Sequence, residues 1–381
     1  MGHTLAPSVV EIYLCDPFGM RIECLDYVTE YDYTLLANEP GTFRLKMPAK
    51  FDRKNVRLDN IVEIWRGHLP GSLKMEYCGL LRAWKFADDA GVNYTELYGY
   101  STMELLRRRI VKDNAGIVQT LMTGYADNLV KAIVKDQLGS DAIAGRNLTS
   151  VGGGFTIQDD LSDGQSITKD FFYKNVLEIA QEIADASKQA GTAVYFDVVP
   201  VQTSVTTGML GLQLQTFTGQ RGNDRTFDSS NPAYIGLDWG NLENGELTYD
   251  YSEEVNVAYA LGQGEGLTRE IVEVDDAPRK WKSIWNMREG SKDARSCDAG
   301  DTAALTGEAQ TYLDEHKPKI SFSGDIVETP AFRYGHDWWF GDKTTLVYAD
   351  MELDANIDKV LVSRGDDGQE TITARLELED L

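Results

Sequence analysis

The sequence predicts a predominantly β protein of the α+β class, with β segments at both ends and a mixed middle. Three observations lead to this prediction: short apolar and polar alternation through the first hundred residues, helical periodicity that begins only after them, and a hairpin pattern near the N-terminus that recurs near the C-terminus. Alternation indicates strands with one buried face, as in antiparallel sheets or barrels. A chain of 381 residues has room for two or three domains of about 150 residues each.

The N-terminal region, residues 1–105, is predicted to be one β domain. Its alternating runs are Val10–Leu14, Arg21–Leu25, Gly41–Pro48, Asp59–Trp65 and Tyr77–Trp84, followed by the turn Asp88–Gly91 and the return strand Val92–Tyr100. A turn of two Asp residues closed by Gly between two alternating runs is typical of a hairpin.

A similar order of segments occurs near the C-terminus. Gly341–Tyr348 leads through Lys359–Arg364 to the turn Gly365–Gly368 and the return strand Gln369–Leu378. Both copies contain a polar turn, two strands, a turn with two Asp residues closed by Gly, and a third strand. The pattern suggests one β module used twice, although hairpins of this kind are also common in unrelated β-rich proteins.

The middle region, residues 106–245, is predicted to be an α+β domain. Ser101 and Glu104 form a capping box that starts a helix with Met103, Leu106 and Ile110 on one side. The remaining predicted elements are a helix over Ala126–Leu138 ended by Gly139, a loop or hairpin over Asn147–Gly164, a helix over about Lys169–Ala190 that buries Phe172, Val176, Ile179, Ala180 and Ile183, and strands over Ala193–Val199 and Leu210–Phe217.

The third region, residues 246–381, is predicted to be a second β domain with one helix. Its first strands are Glu246–Ser252, Asn256–Leu261 and Thr268–Val274. The helix covers about Thr302–His316 and is closed by Pro318, because proline cannot continue a helix.

The charge balance argues against one class of function. The chain has 37 basic and 61 acidic residues, a net charge of −24 at pH 7 and a pI near 4.5. Capture of nucleic acid needs clustered Lys and Arg against the phosphates, so it is disfavoured. Self-repulsion that keeps the protein soluble explains the charge, and so does a surface past which DNA slides without being held.

Cysteine and hydropathy patterns exclude further classes. The sequence has four cysteines, and no two of them have Cys-x-x-Cys spacing; they are Cys15, Cys24, Cys78 and Cys297. With only four histidines as well, a structural metal centre is not expected. Cys15 and Cys24 flank a turn and could face each other across a hairpin, but reduced thiols are expected. The segment Met1–Pro7 lacks the regions of a signal peptide, and no stretch approaches the ~20 apolar residues of a membrane span.

Two clusters that suggest phosphate binding are assigned other roles. Gly262–Gly266 follows a strand, but a phosphate loop needs a helix N-terminus behind its glycines, and Leu267–Val272 resembles another strand. Gly152–Gly154 fails the same requirement. Arg107–Arg109 is the densest basic cluster, yet at about 100° per residue its members cannot share one helix face. Ion pairs between domains or subunits are predicted for them.

The segment His336–Trp339 most resembles a site, because it joins a base, an acid and two aromatic residues between Gly335 and Gly341. A hydrolase uses such groups, but a loop that anchors aromatic side chains before a strand also explains them, and we favour that role. The sequence has neither a Gly-x-Ser-x-Gly nor a His-Glu-x-x-His motif. No catalytic, cofactor-binding or metal-ligating residue is assigned, and no cofactor is expected.

The order of segments resembles the tail-hub proteins of long-tailed bacteriophages, which are similar in fold to the baseplate hub of contractile phages. Three segments carry this resemblance. They are Leu97–Arg109, where the family has a strand, a Gly and a helix ending in basic residues; Tyr251–Gly266; and Tyr334–Asp342 before the final strands.

The resemblance implies two tail-tube-like β domains, each a barrel or sandwich, flanking the α+β middle domain. Such hubs are trimeric virion proteins, so three subunits would present six quasi-equivalent domains to a hexameric ring. The implied partners are two further copies of the chain, a distal tail ring protein, a tail fibre or tip protein and a tape-measure protein. DNA would pass through the channel without specific binding. The implied location is the tail tip or baseplate of the virion, after synthesis in the host cytoplasm.

The predicted function is therefore that of a structural virion protein and not of an enzyme. The protein would be a homotrimeric tail hub that adapts hexameric tail rings to trimeric tip components and forms a channel for genome ejection. Two alternatives remain open. One is a peptidoglycan-degrading hydrolase that uses His336 and Asp337 or scattered carboxylates. The other is a carbohydrate-binding β module in which Trp338 and Trp339 stack on sugars.

Overall fold

Strands dominate the computed structural model, which describes residues 8–48, 51–67, 73–89, 91–112, 121–170, 173–202 and 210–378. In chain order the strands are β1 (Val9–Cys15), β2 (Arg21–Cys24), β3 (Glu30–Leu36), β4 (Thr42–Pro48), β5 (Ile61–Gly67), β6 (Lys74–Asp89), β7 (Val92–Ser101), β8 (Leu121–Tyr125), β9 (Phe155–Ile157), β10 (Ser166–Asp170), β11 (Val194–Gln202), β12 (Leu210–Thr218), β13 (Asp224–Arg225), β14 (Tyr234–Gly236), β15 (Leu242–Asp250), β16 (Val257–Leu261), β17 (Ile271–Asp275), β18 (Glu289–Asp293), β19 (Lys319–Ile326), β20 (Lys343–Tyr348), β21 (Met351–Arg364) and β22 (Glu370–Leu378).

The described residues contain fewer helices than strands. The helices are α1 (Glu104–Arg107), α2 (Ala126–Gln137), α3 (Val176–Gln189), α4 (Ala277–Lys280) and α5 (Thr302–Glu315), with 3-10 turns at residues 53–55, 237–239 and 266–268. The chain divides into two compact units, of which the first contains residues 1–245 and 323–379 and the second contains residues 246–322. The predicted α+β class, predominantly β, is confirmed.

One twelve-stranded sheet forms the larger part of the first unit. Its order is β13-β20-β21-β3-β4-β7-β6-β5-β1-β2, with β14 also paired to β20 and β22 also paired to β21. Strand β21 is antiparallel to β3, with Lys359 opposite Leu36 and Arg364 opposite Tyr31. Strands from both ends of the chain therefore share one sheet, and it does not close into a barrel within the described residues.

A second core in the first unit lies between helices and small sheets. Helices α2 and α3 pack with the sheet β11-β12-β9 and with the pair β8–β10. The apolar side chains of α3 recur at helical spacing, so one face is buried; Val176, Ile179, Ala180 and Ile183 are all inaccessible. The predictions for Ala126–Leu138 and for the strands at 193–199 and 210–217 are confirmed.

Two helix starts were predicted wrongly. Ser101 does not cap a helix, because it ends β7 and pairs with Gly79. Helix α1 begins at Glu104 without a side-chain cap, and Ile110 is half-exposed beyond its end. Helix α3 begins at residue 176 rather than near 169, since Ser166–Asp170 forms β10 and the Asn175 side chain accepts a hydrogen bond from the N–H of Leu177 at 2.9 Å. Phe172 and the segment Met1–Pro7 lie outside the described residues.

The second unit consists of the sheet β17-β16-β18 with α5 packed on it. Helix α5 matches the helix predicted over residues 302–316. The Asp301 side chain caps it by accepting a hydrogen bond from the N–H of Ala304 at 2.9 Å. Leu305, Ala309 and Leu313 follow each other at i+4 spacing and are buried against the sheet.

No helix within the described ranges has the length and apolar composition needed to cross a bilayer.

Candidate functional site

Each terminal hairpin has a long strand, β6 or β21, that contains a bulge. Residues 74–80 of β6 pair with β5 and residues 79–89 pair with β7. In the same way, residues 351–356 of β21 pair with β20 and residues 355–364 pair with β22, while residues 359–364 also pair with β3. Arg82 is the extra residue in β6 and Asp358 is the extra residue in β21, each opposite an uninterrupted third strand. Gly91 and Gly368 have φ of 87° and 76° in the two turns, as a glycine position requires. Ala90 lies outside the described residues.

The backbone just before the first strand of each hairpin makes the same hydrogen bonds in both copies. In the first copy, the residues Asp59–Asn60 exchange two hydrogen bonds with Leu81, at 3.1 and 2.8 Å. In the second copy, the residues Gly341–Asp342 exchange two hydrogen bonds with Ile357, both at 2.9 Å. Asp59 and Gly341 both have left-handed φ, of 62° and 85°. The structure thus matches Asn60 with Asp342.

The matched side chains hold the same turn in place. Asn60 and Asp342 are fully buried. Each accepts a hydrogen bond from the backbone N–H three residues earlier, Arg57 at 2.6 Å in the first copy and Trp339 at 3.0 Å in the second. We name this arrangement the corner, defined by residues 57–60 in the first copy and 339–342 in the second. Neither side chain could be identified from the sequence, because a lone Asn or Asp before a strand carries no specific signal.

The two corners differ in charge. Asn60 donates its amide to the carbonyl of Cys15 at 2.6 Å. Asp342 instead accepts from the N–H of Asn223 at 2.8 Å and pairs with Arg225, Nε to Oδ2, at 2.8 Å. The neutral corner therefore binds a backbone acceptor, and the acidic corner binds a backbone donor and a cation.

A buried cluster of charged groups joins the ends of the chain. The side chain of Arg66 on β5 is 2% exposed. It donates to Glu370 on β22 through Nε at 3.1 Å and Nη2 at 2.9 Å, and to the carbonyl of Tyr334 through Nη1 at 3.3 Å. Tyr31 also donates to Glu370, at 3.2 Å. These residues come from four separate parts of the sequence, so no local pattern could have identified the cluster.

The pKa values of two carboxyl groups beside Arg66, those of Glu370 and Glu76, are shifted in opposite directions. Burial raises the pKa of Glu370, but the hydrogen bonds and the charge of Arg66 outweigh burial, so its pKa lies below the ordinary value. Burial dominates at Glu76 and raises its pKa, although Tyr33 donates to it at 2.7 Å and Arg66 lies 3.9 Å away. The geometry is that of a buried ion pair with hydrogen-bonded neighbours, which serves to join strands.

A cavity of about 610 Å³ in the first unit contains several charged side chains. Two arginine side chains that line the cavity form ion pairs with carboxylates that also line it. Arg21 contacts Glu63 at 2.6 Å, and Arg221 contacts Asp197. Groups that neutralise each other within a cavity are poorly available for binding a charged ligand, so we assign no ligand to this space.

His336 and Asp337 are among the residues that line a cleft of about 500 Å³ in the first unit. Nδ1 of His336 is 2.7 Å from Oδ1 of Asp337, and the other carboxylate oxygen of Asp337 accepts from the N–H of Arg333 at 2.8 Å. Trp338 is fully buried and stacks on Phe332, with ring centroids 5.8 Å apart. The proposed stacking of Trp338 on a sugar is therefore wrong, because the ring has no exposed face.

The arginine cluster forms ion pairs with carboxylates. Arg107 contacts Glu104 at 2.6 Å and lies over the ring of Tyr100, while Arg108 contacts Asp59 at 2.9 Å. The pair of Arg107 with Glu104 lies within one helix and is not of the predicted kind, whereas the pair of Arg108 with Asp59 joins separate regions of the sequence. The second of them joins the region predicted as the middle domain to the region predicted as the N-terminal domain.

The glycine-rich segments have structural roles. The residues after Gly262 form a 3-10 turn at 266–268 and then β17, so no helix of useful length follows. Gly153 approaches the backbone of Leu210 so closely that an added Cβ would lie 2.3 Å from its carbonyl oxygen. Glycine is needed there for close packing rather than for phosphate.

The four cysteines are free. Cys15 lies opposite Arg21 and Cys24 lies opposite Tyr13, so the two thiols do not face each other across the hairpin. Among the described residues, no group of three or more His, Cys, Asp or Glu side chains could hold a metal ion.

Comparisons with known proteins give a consistent result. The family model described as Siphovirus ReqiPepy6 Gp37-like protein matches residues 9–376. No curated protein matches the sequence.

Three solved structures resemble nearly the whole chain. The tail protein from Neisseria meningitidis MC58 has a TM-score of 0.55 at 12% identity, with 98% of this chain and 97% of that chain covered. The 43 kDa tail protein of prophage MuSo2 from Shewanella oneidensis has a TM-score of 0.55 at 13% identity, with 96% and 97% covered. Prophage tail protein gp18 from Listeria monocytogenes EGD-e has a TM-score of 0.50 at 11% identity, with 97% and 94% covered.

Similarity at such low identity establishes a shared fold, and the family match covers most of the sequence. The resemblance to a phage tail family that the sequence suggested is confirmed. The chain belongs to the siphovirus ReqiPepy6 Gp37-like protein family, and its fold is that of phage tail proteins.

Proposed function

We propose that this chain is a structural subunit of the phage tail, a homotrimeric hub that adapts hexameric tail rings to trimeric tip components and forms a channel for genome ejection. The observation that carries the proposal is the repeat of strand order, bulge and corner in the two terminal hairpins. Arg82 and Asp358 occupy the same place in their strands, and Asn60 and Asp342 occupy the same place in their corners.

A repeat of this kind lets a trimeric ring match a hexameric ring. A closed homotrimer has threefold symmetry, so each subunit offers its surface three times. If each subunit carries two equivalent β modules, the trimer presents six, which matches a hexameric ring. The proposed modules belong to the regions 1–105 and 246–381, and the region 106–245 is the domain between them.

The charge of the chain supports a channel that does not hold DNA. With a net charge of −24, the protein repels phosphate on average, and repulsion lets a nucleic acid slide rather than bind. The proposed partners are a distal tail ring protein, a tail fibre or tip protein and a tape-measure protein. The proposed location is the tail tip or baseplate of the virion, with synthesis in the host cytoplasm.

The proposal assigns no catalysis to the chain. A hydrolase that uses His336 and Asp337 is the rival that the cleft keeps open. Loss of peptidoglycan turbidity on addition of the purified protein, abolished in His336→Ala and retained in His316→Ala, would favour the hydrolase. Unchanged turbidity with the wild-type protein would leave the structural role.

The hub is tested by the mass and the shape of the purified full-length chain. Mass measurement across a concentration series is expected to give three copies, and electron microscopy is expected to give rings with threefold symmetry and a central opening. Superposition of the two modules within such a ring should need a rotation of about 60° around the ring axis, since six modules share a full turn. A stable monomer that never joins tail rings would overturn the proposal.

A further inference from the structure

The second unit presents large apolar side chains on one short segment, residues 276–288, which we name the display loop. Trp285 is 87% exposed, Ile284 is 80% exposed, Trp281 is 67% exposed and Met287 is 52% exposed. The loop contains α4 and connects β17 to β18. Single exposed apolar residues are common, but two tryptophans with two neighbouring aliphatic side chains mark a surface that another molecule covers.

The loop is exposed although its backbone is firmly held. Asn286 donates to the buried carboxylate of Glu254 at 3.0 Å and to the carbonyl of Arg279 at 3.0 Å. Asn256, which is fully buried, donates to the carbonyl of Asn286 and accepts from the N–H of Arg288 at 2.9 Å. A backbone fixed by buried polar groups loses little entropy on binding, so the tryptophans are positioned in advance for a partner.

The cap of α4 adds to this anchoring. Asp276 accepts from the N–H of Arg279 at 3.0 Å and forms an ion pair with its side chain at 2.6 Å. The loop therefore enters and leaves the sheet through fixed contacts.

The charge of the loop identifies the partner. Residues 276–288 contain four basic side chains, Arg279, Lys280, Lys282 and Arg288, and one acidic side chain, Asp276. The whole chain carries −24 and the display loop carries +3, so the rest of the chain carries −27. A basic and aromatic segment is therefore complementary to the surface of another copy of the same chain.

We propose that the display loop docks on the acidic surface of a second copy of this chain. This inference rests on the proposed homotrimer and names one contact that holds it together. Trp281, Ile284 and Trp285 are the apolar centre of the contact, and Lys282 and Arg288 are its basic rim. Tryptophan is enriched among the residues that dominate interface energies, so the two tryptophans should carry most of the effect.

The test compares a double variant, which carries both Trp281→Ser and Trp285→Ser, with the control variant Leu267→Ser. Leu267 is fully exposed in the same unit. It lies in the connection that follows Leu261 at one end of β16, whereas the display loop lies beside Val257 at the other end. Both variants replace exposed apolar side chains, so the fold should be kept in each, and circular dichroism with a thermal scan checks that it is.

The oligomeric state of the full-length chain is measured by light scattering during gel filtration across a concentration series. The concentration at which the oligomer dissociates should rise more than about tenfold in the double variant, the scale expected for a hot-spot residue. It should be unchanged in Leu267→Ser. The charge reversal Lys282→Glu should weaken association in the same direction, and added salt should reduce the difference between it and the wild-type protein.

The possible outcomes separate this inference from the proposed function. If the wild-type chain and the double variant are equally trimeric, the display loop is not the contact and the hub proposal stands. If the wild-type chain is monomeric at all concentrations, both are overturned. A flotation assay with vesicles of phosphatidylglycerol and phosphatidylcholine tests a membrane as the partner instead. The inference also fails if the wild-type protein floats with these vesicles and the double variant does not, while both proteins have the same oligomeric state.

Discussion

Arg66 and Glu370 lie 304 positions apart in the sequence and form two hydrogen bonds, at 3.1 and 2.9 Å. The first residue is on β5 and the second on β22, so the pair joins strands from the two ends of the chain. The Arg66 side chain is 2% exposed, and it cannot recover its hydration if its partner is lost. The stability of the large sheet should therefore depend on this pair.

Glu370→Gln is expected to lower the free energy of unfolding by about 2 to 4 kcal/mol, because Arg66 would stay buried without a compensating charge. Denaturant unfolding of both proteins at pH 7 measures the difference. Glu377→Gln is the matched control, since Glu377 lies on the same strand and pairs with Lys188 at 2.7 Å near the surface. The control should cost less than about 1 kcal/mol. Equal costs for the two variants would contradict the assignment.

The contribution of Glu370 should also depend on pH. Its pKa in the folded protein lies below the ordinary value of 4.5, so the native state favours the charged form. The stabilisation is therefore fully present above the unfolded pKa and is lost as pH falls through the lower, folded pKa. The stability difference between wild type and Glu370→Gln should stay constant from pH 7 to pH 5 and shrink below pH 4.5. A difference that grows on acidification would refute this.

Asn60→Ala is expected to destabilise the protein by about 2 to 3 kcal/mol, because the N–H of Arg57 and the carbonyl of Cys15 would lose a buried partner. Thermal or denaturant unfolding gives the value. Asn55→Ala removes an amide of the same type that donates to Glu23 at 3.1 Å in a half-exposed position, and it should cost less than about 1 kcal/mol. Similar losses in the free energy of unfolding for the two variants would show that the corner contributes no more to stability than a half-exposed hydrogen bond.

Asp342→Ala should cost more than Asn60→Ala, about 3 to 5 kcal/mol, because Arg225 would be left as an unpaired buried cation. Asp342→Asn removes the charge and keeps one acceptor oxygen, so it can accept from the N–H of Asn223 or from that of Trp339 but not from both. A loss between zero and that of Asp342→Ala is expected. The three free energies of unfolding, measured in one buffer, test the order. If Asp342→Asn is as stable as the wild-type protein, the ion pair with Arg225 contributes nothing.

Cysteine labelling should separate the four thiols of the native protein. Cys24 is exposed, whereas Cys15 and Cys78 are buried and burial raises the pKa of both thiols. A maleimide added at pH 7 should modify Cys24 first and leave Cys15 and Cys78 unmodified until denaturant is added, as followed by mass spectrometry. Labelling of all four in denaturant without reductant is the control. Failure of Cys15 and Cys24 to react there would reveal a disulfide.

Much of the secondary structure could be predicted from local patterns. The turns at Gly91 and Gly368 follow from Asp and Gly positions, and α2 and α5 follow from apolar spacing. The helix starts near Ser101 and Lys169 were predicted wrongly for one physical reason. A residue that can cap or continue a helix joins a strand instead when a neighbouring strand supplies its hydrogen bonds, as β6 does for Ser101 and β8 does for β10.

The sequence by itself determined the α+β class, the acidic balance and the double occurrence of the hairpin, because these depend on composition, on periodicity and on short turns. Tertiary structure alone decided that both ends share one sheet, that Asn60 matches Asp342, that Arg66 meets Glu370 and that Trp338 is buried while Trp285 is exposed. Such relationships arise from contacts between residues far apart in the chain. The burial of a tryptophan depends on what packs above it, and no neighbouring residue in the sequence carries that information.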